Sequence, residues 1–143
     1  MSLFEKFAKK YFEEAVKDLE RAERALRLND YPQAVFYAQQ CVEKAVKAML
    51  ESRKKVVYNH GPELVGIFVE TFEREWMEEY NIIVEALEFL TEYYTRSRYP
   101  FVLKGNVLSP EDVIDMDIAL KGVELARKAL DVVKEYLRRR GVI

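Results

Sequence analysis

The chain has 143 residues, half of them apolar and about a third charged, with only five glycines and four prolines. This length and composition predict one folded domain over residues 1–143 and exclude a disordered chain. The net charge of −2 gives no overall attraction to nucleic acid, so an RNA-binding role would need a local basic patch. A lone cysteine, a charged amino-terminal stretch and no long apolar run predict a cytoplasmic protein without a membrane span.

The first two helices are predicted from apolar periodicity and capping residues. Apolar residues recur at spacings of three and four from Phe4 and Phe7 to Leu26, which predicts a helix over 4–28. Asp30 as N-cap and Pro32 in the first turn predict a second helix that runs to the basic break at 52–55. Its expected apolar stripe is Ala34, Val35, Ala38, Cys41, Val42, Ala45 and Met49. We interpret Cys41 as a core residue without a catalytic role.

A third helical region is predicted from Pro62 to near Tyr99, with a bend around residues 72–76. Pro100 sets its end, because proline disfavours the α conformation in the preceding residue. Arg96 and Arg98 would then lie on the last turn, where the helix dipole favours cations. The alternative is that their guanidinium groups bind a phosphate or a carboxylate of a ligand or partner.

The last part of the chain predicts a loop followed by a fourth helix. Residues 100–108 form the loop, and Ser109 as N-cap with Pro110 at the first helical position starts a helix that continues to the arginines at 138–140. Four long helices with short connections predict an all-α fold, an antiparallel up-and-down four-helix bundle with a possible short extra helix.

The second predicted helix carries a polar arc opposite its apolar stripe. Gln40, Glu43, Lys44 and Lys47 fall on this arc when the helix is drawn at about 100° per residue. One interpretation is a solvated face with an ion pair between Glu43 and Lys47, and the other is a ligand site. Phe36 lies on the same arc, and a large aromatic residue among polar ones indicates a contact surface for a partner or a second copy.

Neither a metal site nor a catalytic site is predicted. Nine glutamates and one basic residue, Arg74, lie between positions 63 and 92, but their helical spacing is typical of a solvated face and no Glu-x-x-His motif occurs. His60 is the only histidine, and no serine nucleophile motif or glycine-rich phosphate loop is present. We therefore expect no cofactor, and we interpret His60 as a hydrogen-bonding residue at a helix start.

Four stretches together resemble the small prokaryotic HEPN domains: DLERAERALRLNDYPQAVFYAQQCVEKAVKAML, NHGPEL, YYTRSRYP and SPEDVIDMDIALKGVELARKAL. The resemblance covers residues 10–137. It implies a four-helix bundle similar to the C-terminal domain of kanamycin nucleotidyltransferase, frequently dimeric and encoded beside a minimal nucleotidyltransferase. It also implies either nucleotide binding or a toxin–antitoxin pairing in which the HEPN chain cuts RNA.

The resemblance also identifies candidate site residues. HEPN ribonucleases place a histidine shortly after an arginine, but none follows Arg98, and Phe101 stands where an acidic residue is usual. We therefore expect an accessory protein with no catalytic activity of its own and no catalytic residue. It would be a homodimer through Phe36 and the acidic third helix, with ribonuclease and scaffold roles as alternatives. The residues expected to bind a nucleotide or a nucleotidyltransferase partner are Gln40, Glu43, Lys44, Lys47, Arg96, Arg98 and Tyr99.

Overall fold

The computed structural model describes all 143 residues, which form six α-helices and one hairpin. The elements are α1 (Leu3–Arg27), α2 (Tyr31–Ser52), α3 (Pro62–Phe72), α4 (Tyr80–Tyr93), β1 (Phe101–Leu103), β2 (Asn106–Leu108), α5 (Pro110–Val113) and α6 (Met116–Arg139). Helices α1, α2, α4 and α6 form the bundle, and α3 packs beside α2 and α4. The predicted all-α bundle is confirmed. None of these helices has both the length and the apolarity needed to cross a membrane.

Helix α2 is the centre of the core and contacts α1, α4 and α6. It begins where the sequence predicts, with the Asp30 side chain accepting a hydrogen bond from the Gln33 amide at 3.4 Å. Every residue of its predicted apolar stripe is buried. Cys41 is fully buried, and burial raises the pKa of its thiol, which leaves little reactive thiolate.

The apolar stripe of α1 is shifted from the predicted one in the first turns. Ala8 and Phe12 are buried, whereas Phe7 is half exposed. The prediction was wrong for Phe7 because the three-and-four spacing was begun one position too early, whereas the buried stripe of this helix includes Ala8, Phe12, Ala15 and Ala22.

The third predicted helix is two helices. A turn of 3-10 helix at Glu73–Glu75 separates α3 from α4 and confirms the expected change of direction. However, α4 ends at Tyr93, so the predicted end near Tyr99 is wrong and Arg96 and Arg98 lie in the turns that follow. Ser97 explains part of this, because its buried hydroxyl donates to the Tyr94 carbonyl at 2.7 Å and competes with helix continuation.

The predicted loop after Pro100 contains a hairpin, which the sequence analysis missed. Val102 of β1 lies opposite Val107 of β2 in the antiparallel pair. The connecting residues Lys104 and Gly105 both have positive φ, 50° and 79°, as a two-residue hairpin turn requires.

The fourth predicted helix is interrupted shortly after its start. Ser109 and Asp112 form a capping box on the short helix α5. The chain then leaves the helix at buried Ile114, and the Asp115 side chain accepts from the Ile118 amide at 2.9 Å to start α6. The prediction of one continuous helix from Pro110 was wrong because Asp115 was not recognised as a second N-cap.

Candidate functional site

The polar arc of α2 is buried or half-buried rather than solvated. Glu43 and Lys47 are only 4% and 9% exposed. Glu43 does not pair with Lys47. Its carboxylate accepts a hydrogen bond from the Gly61 amide at 3.2 Å and lies 2.9 Å from Nδ1 of His60. The interpretation as a solvated face with a Glu43–Lys47 ion pair is therefore wrong, and Glu43 instead fastens the segment that leads into α3.

The other polar positions of this arc also have partners within the chain. Lys44 donates to Asp18 of α1 at 2.6 Å, and Arg21 donates to the same carboxylate at 2.7 Å. Asp18 is almost completely buried, so this network joins α1 to α2. Gln40 donates to its neighbour Gln39 at 2.9 Å. Of these contacts, the one between Lys44 and Asp18 holds two helices together, whereas that of Gln40 stays within α2.

Arg98 lies in a cluster of three aromatic rings, which we call the Arg98 cage. Its guanidinium carbon is 5.0 Å from the centroid of Phe36, 5.7 Å from that of Tyr94 and 5.2 Å from that of Tyr99. The Phe36 and Tyr94 rings are stacked at 6.2 Å, and Arg98 Nη1 donates to the Tyr94 hydroxyl at 3.0 Å. Aromatic faces orient a guanidinium without neutralising it, so the cage holds a full positive charge in place.

Arg96 does not join this cage. Its guanidinium lies over the ring of Phe101, 5.3 Å from the centroid, at the start of the hairpin. The two arginines that the sequence analysis grouped together therefore contact different elements. Phe36, predicted to mark a contact surface, is half-buried and covered by Arg98 and Tyr94 of its own chain.

A groove of about 490 Å³ opens beside the Arg98 cage, where the start of α2, the turns after α4 and helix α5 meet. Phe36 and Arg98 contribute to it. The sequence analysis missed the acidic members Asp30 and Glu111, whose sequence positions indicated only helix starts. The groove is lined by Asp30, Pro32, Gln33, Phe36, Ser97, Arg98, Pro110 and Glu111. The lining of this groove therefore combines one cation with two carboxylates.

His60 and Arg98 both contact the same stripe of α2. Phe36 beneath Arg98 and Glu43 beside His60 are seven residues apart, two helical turns or about 10 Å along the axis. The only histidine of the chain therefore contacts, through Glu43, the stripe of α2 that Arg98 also contacts through Phe36. The imidazole is largely exposed.

Comparisons with known proteins agree with the fold along almost the whole chain. The HEPN domain family model matches residues 8–136. A protein named "Putative toxin MJ1304" from Methanocaldococcus jannaschii is 32% identical over 136 residues, covering 93% of this chain and 90% of its own. The crystal structure of TT1696 from Thermus thermophilus is 29% identical, covers 90% of this chain and 96% of its own, and has a TM-score of 0.76. That of ST0689, described as an archaeal HEPN homologue, is 27% identical, covers 91% and 97%, and has a TM-score of 0.67.

Proposed function

Because the chain belongs to the HEPN domain family, we propose that it is a toxin-like protein that binds the phosphate of a nucleotide at Arg98. The observation that carries this proposal is the Arg98 cage. The guanidinium is exposed and held by three rings, and its hydrogen bond is to the neutral hydroxyl of Tyr94. The similarity to a relative named as a toxin supports the toxin-like role.

The chemistry of the groove suits a nucleotide better than a bare anion. A guanidinium has five N–H donors in a planar fork, and those not directed at Tyr94 can bind phosphate oxygens in pairs. The carboxylate of Glu111 would repel a phosphate, but it can accept hydrogen bonds from ribose hydroxyls or from the amino group of a base. We place the phosphate at Arg98 and the nucleoside toward α5.

The proposed partner is a minimal nucleotidyltransferase, the second component that the sequence resemblance implies. Such an enzyme uses nucleotides as substrates. A partner with a nucleotide-binding groove would therefore bind the same class of ligand as the enzyme. In this arrangement the present chain is the toxin-like member of a toxin–antitoxin module.

Titration with a labelled adenine nucleotide tests the Arg98 assignment. Arg98→Ala should weaken binding by about 1–3 kcal/mol, roughly 5- to 150-fold, because a charge-assisted hydrogen bond is lost. Arg98→Lys should restore little of this, since an ammonium cannot make a bidentate contact. Arg138→Ala is the matched control, because this exposed arginine lies at the opposite end of α6 from the groove.

Melting curves recorded for the same variants separate a binding role from a structural one. An Arg98→Ala protein that melts like the wild type but binds nucleotide less tightly supports the proposal. Nucleotide binding that is undetectable in the wild type, or equal in wild type and Arg98→Ala, would refute it.

A second candidate function is metal-independent RNA cleavage by Arg98 and His60. The specific observation that favours it is the approach of His60 to the α2 stripe that also carries the Arg98 cage. An arginine can stabilise phosphate charge, and an imidazole can transfer protons near neutral pH. Glu43 orients the imidazole through its contact with Nδ1.

Incubation with RNA in the presence of a metal chelator distinguishes this candidate from simple nucleotide binding. Cleavage by the wild type that is abolished in both Arg98→Ala and His60→Ala would establish it. RNA that stays intact with the wild type leaves nucleotide binding as the function of the site.

A further inference from the structure

We propose that the nucleotide bound at Arg98 carries a second phosphate on the far side of its sugar, and that Arg24 of α1 binds this second group. The ligand class is then a nucleoside with phosphates at both its 5′ and its 3′ position, rather than a nucleoside with a chain of adjacent phosphates. This inference rests on the proposed function, because it extends the same groove to a second phosphate subsite.

The groove beside the Arg98 cage adjoins a second cavity. This cavity has a volume of about 410 Å³, lies between the end of α1 and the start of α2, and shares Asp30 and Gln33 with the groove. The residues on its far side include Arg21, Arg24, Leu28 and Tyr37. The two cavities therefore meet at the first turn of α2, and a ligand held at Arg98 can extend past Asp30 into the second cavity.

Arg24 is the free cation of this second cavity. Its side chain is exposed and makes no hydrogen bond or ion pair within the chain, so all its donors are available. Arg21, by contrast, donates to Asp18 at 2.7 Å and lies over the ring of Tyr37. A guanidinium with free donors binds phosphate oxygens in pairs, so a second phosphate is expected at Arg24.

The two subsites are close enough for one small ligand. Arg98 lies 5.0 Å from the ring centroid of Phe36, that centroid lies 5.2 Å from the centroid of Tyr37, and the latter lies 5.9 Å from Arg21. These three distances limit the separation of the two guanidinium carbons to at most about 16 Å. Arg24 is one helical turn from Arg21 on α1. A single nucleotide with a phosphate at each end is therefore of suitable length.

Asp30 favours a sugar, rather than further phosphates, between the two arginines. One oxygen of its carboxylate accepts from the Gln33 amide at 3.4 Å, and the other accepts no hydrogen bond within the chain. A carboxylate here repels a continuous chain of phosphates, but it can accept hydrogen bonds from ribose hydroxyls. The base stays toward Glu111, as proposed above. The order of cation, carboxylate and cation thus matches the order of phosphate, sugar and phosphate.

Titration of the protein with adenosine 3′,5′-bisphosphate, ADP and AMP tests this inference. The wild type should bind the bisphosphate at least about tenfold more tightly than ADP, which has the same number of phosphates but holds them together. Arg24→Ala should remove this advantage and leave the affinity for AMP unchanged. Arg27→Ala is the matched control and should keep the advantage, because Arg27 is exposed in the same last turn of α1 but does not line the cavity.

The same titrations distinguish failure of this inference from failure of the proposed function. Equal affinity for the bisphosphate and ADP, or an advantage that survives Arg24→Ala, would overturn the second subsite while AMP binding at Arg98 still stood. Absence of AMP binding in the wild type would refute the proposed function itself. Circular dichroism of each variant verifies that the bundle is folded, as expected for exposed arginines.

A dinucleotide with a 5′ phosphate identifies the source of the ligand, because its internal phosphate occupies the same position as the 3′ phosphate of the free bisphosphate. Tighter binding of the dinucleotide than of the bisphosphate would support the second subsite with the nucleotide as part of a strand, since Tyr37 and Leu28 then contact the second nucleoside. Weaker binding of the dinucleotide would support the same subsite with a free nucleotide as its ligand.

Discussion

Replacing Glu43 tests whether the buried polar arc of α2 holds the segment before α3. Its carboxylate is 4% exposed and accepts from the Gly61 amide at 3.2 Å, a hydrogen bond to a charged group that is worth about 1.5–3 kcal/mol. The contact with His60 adds at most about 1 kcal/mol, because that side chain is 70% exposed. We therefore expect Glu43→Ala to lower the free energy of unfolding by about 2–4 kcal/mol.

Urea unfolding followed by circular dichroism measures this change. Glu43→Gln should cost less than Glu43→Ala, because the amide oxygen can still accept from Gly61. Glu85→Ala is the matched control, since Glu85 is exposed on α4 and should change stability by no more than about 0.5 kcal/mol. If Glu43→Ala were as stable as this control, the anchoring role assigned to Glu43 would be wrong.

Three further stability predictions concern two glycines and a buried acid. A Cβ at Gly66 on α3 meets nothing within 4 Å, so Gly66→Ala should stabilise the protein by about 0.5–1 kcal/mol. A Cβ at Gly122 on α6 would come within 3.0 Å of Leu90, so Gly122→Leu should lower the free energy of unfolding by about 1–3 kcal/mol or more. Urea unfolding that finds Gly122→Leu as stable as Gly66→Ala would contradict this packing. Burial raises the pKa of Glu51 above its value in the unfolded chain, which is about 4.5. The stability gained by protonating Glu51 is therefore complete below the unfolded pKa, and it is lost as the pH rises through the raised pKa of the folded protein. Glu51→Gln should therefore be more stable than the wild type at pH 7, with an advantage that shrinks as the pH falls toward 4; an advantage that grows toward low pH would contradict this sign.

Local signals were enough to predict most of the bundle. The Asp30 cap, the small residues of α2 and the apolar spacing of α6 lead to the same helices in sequence and in structure. Two helix boundaries were predicted wrongly because a second hydrogen-bonding or capping residue lies close to a stronger sequence signal. Helix α4 ends at Tyr93, before Pro100, and the Ser97 hydroxyl takes the Tyr94 carbonyl. Asp115 starts α6 after the short helix that Ser109 had begun.

The candidate site was less predictable because its geometry depends on contacts between distant parts of the chain. A helical wheel places Glu43 opposite the apolar stripe, but it does not show that the segment with His60 and Gly61 covers this position. Likewise, the sequence separates Phe36 from Arg98 by more than sixty positions, and only the packing of α2 against the turns after α4 brings them together. The resemblance of the motifs directed attention to Arg98, whereas the aromatic cage became visible only in the structure.

The central claim, a nucleotide phosphate at Arg98, is tested most directly by NMR. Titration of adenosine monophosphate into ¹⁵N-labelled protein should first shift the amide signals of the groove and the Arg98 cage, namely those of Phe36, Ser97, Arg98, Tyr99 and Glu111. Arg98→Ala should abolish these shifts at the same ligand concentrations. Shifts centred on Lys44 and Lys47 of α2 instead, or no shifts at any groove residue, would contradict the account.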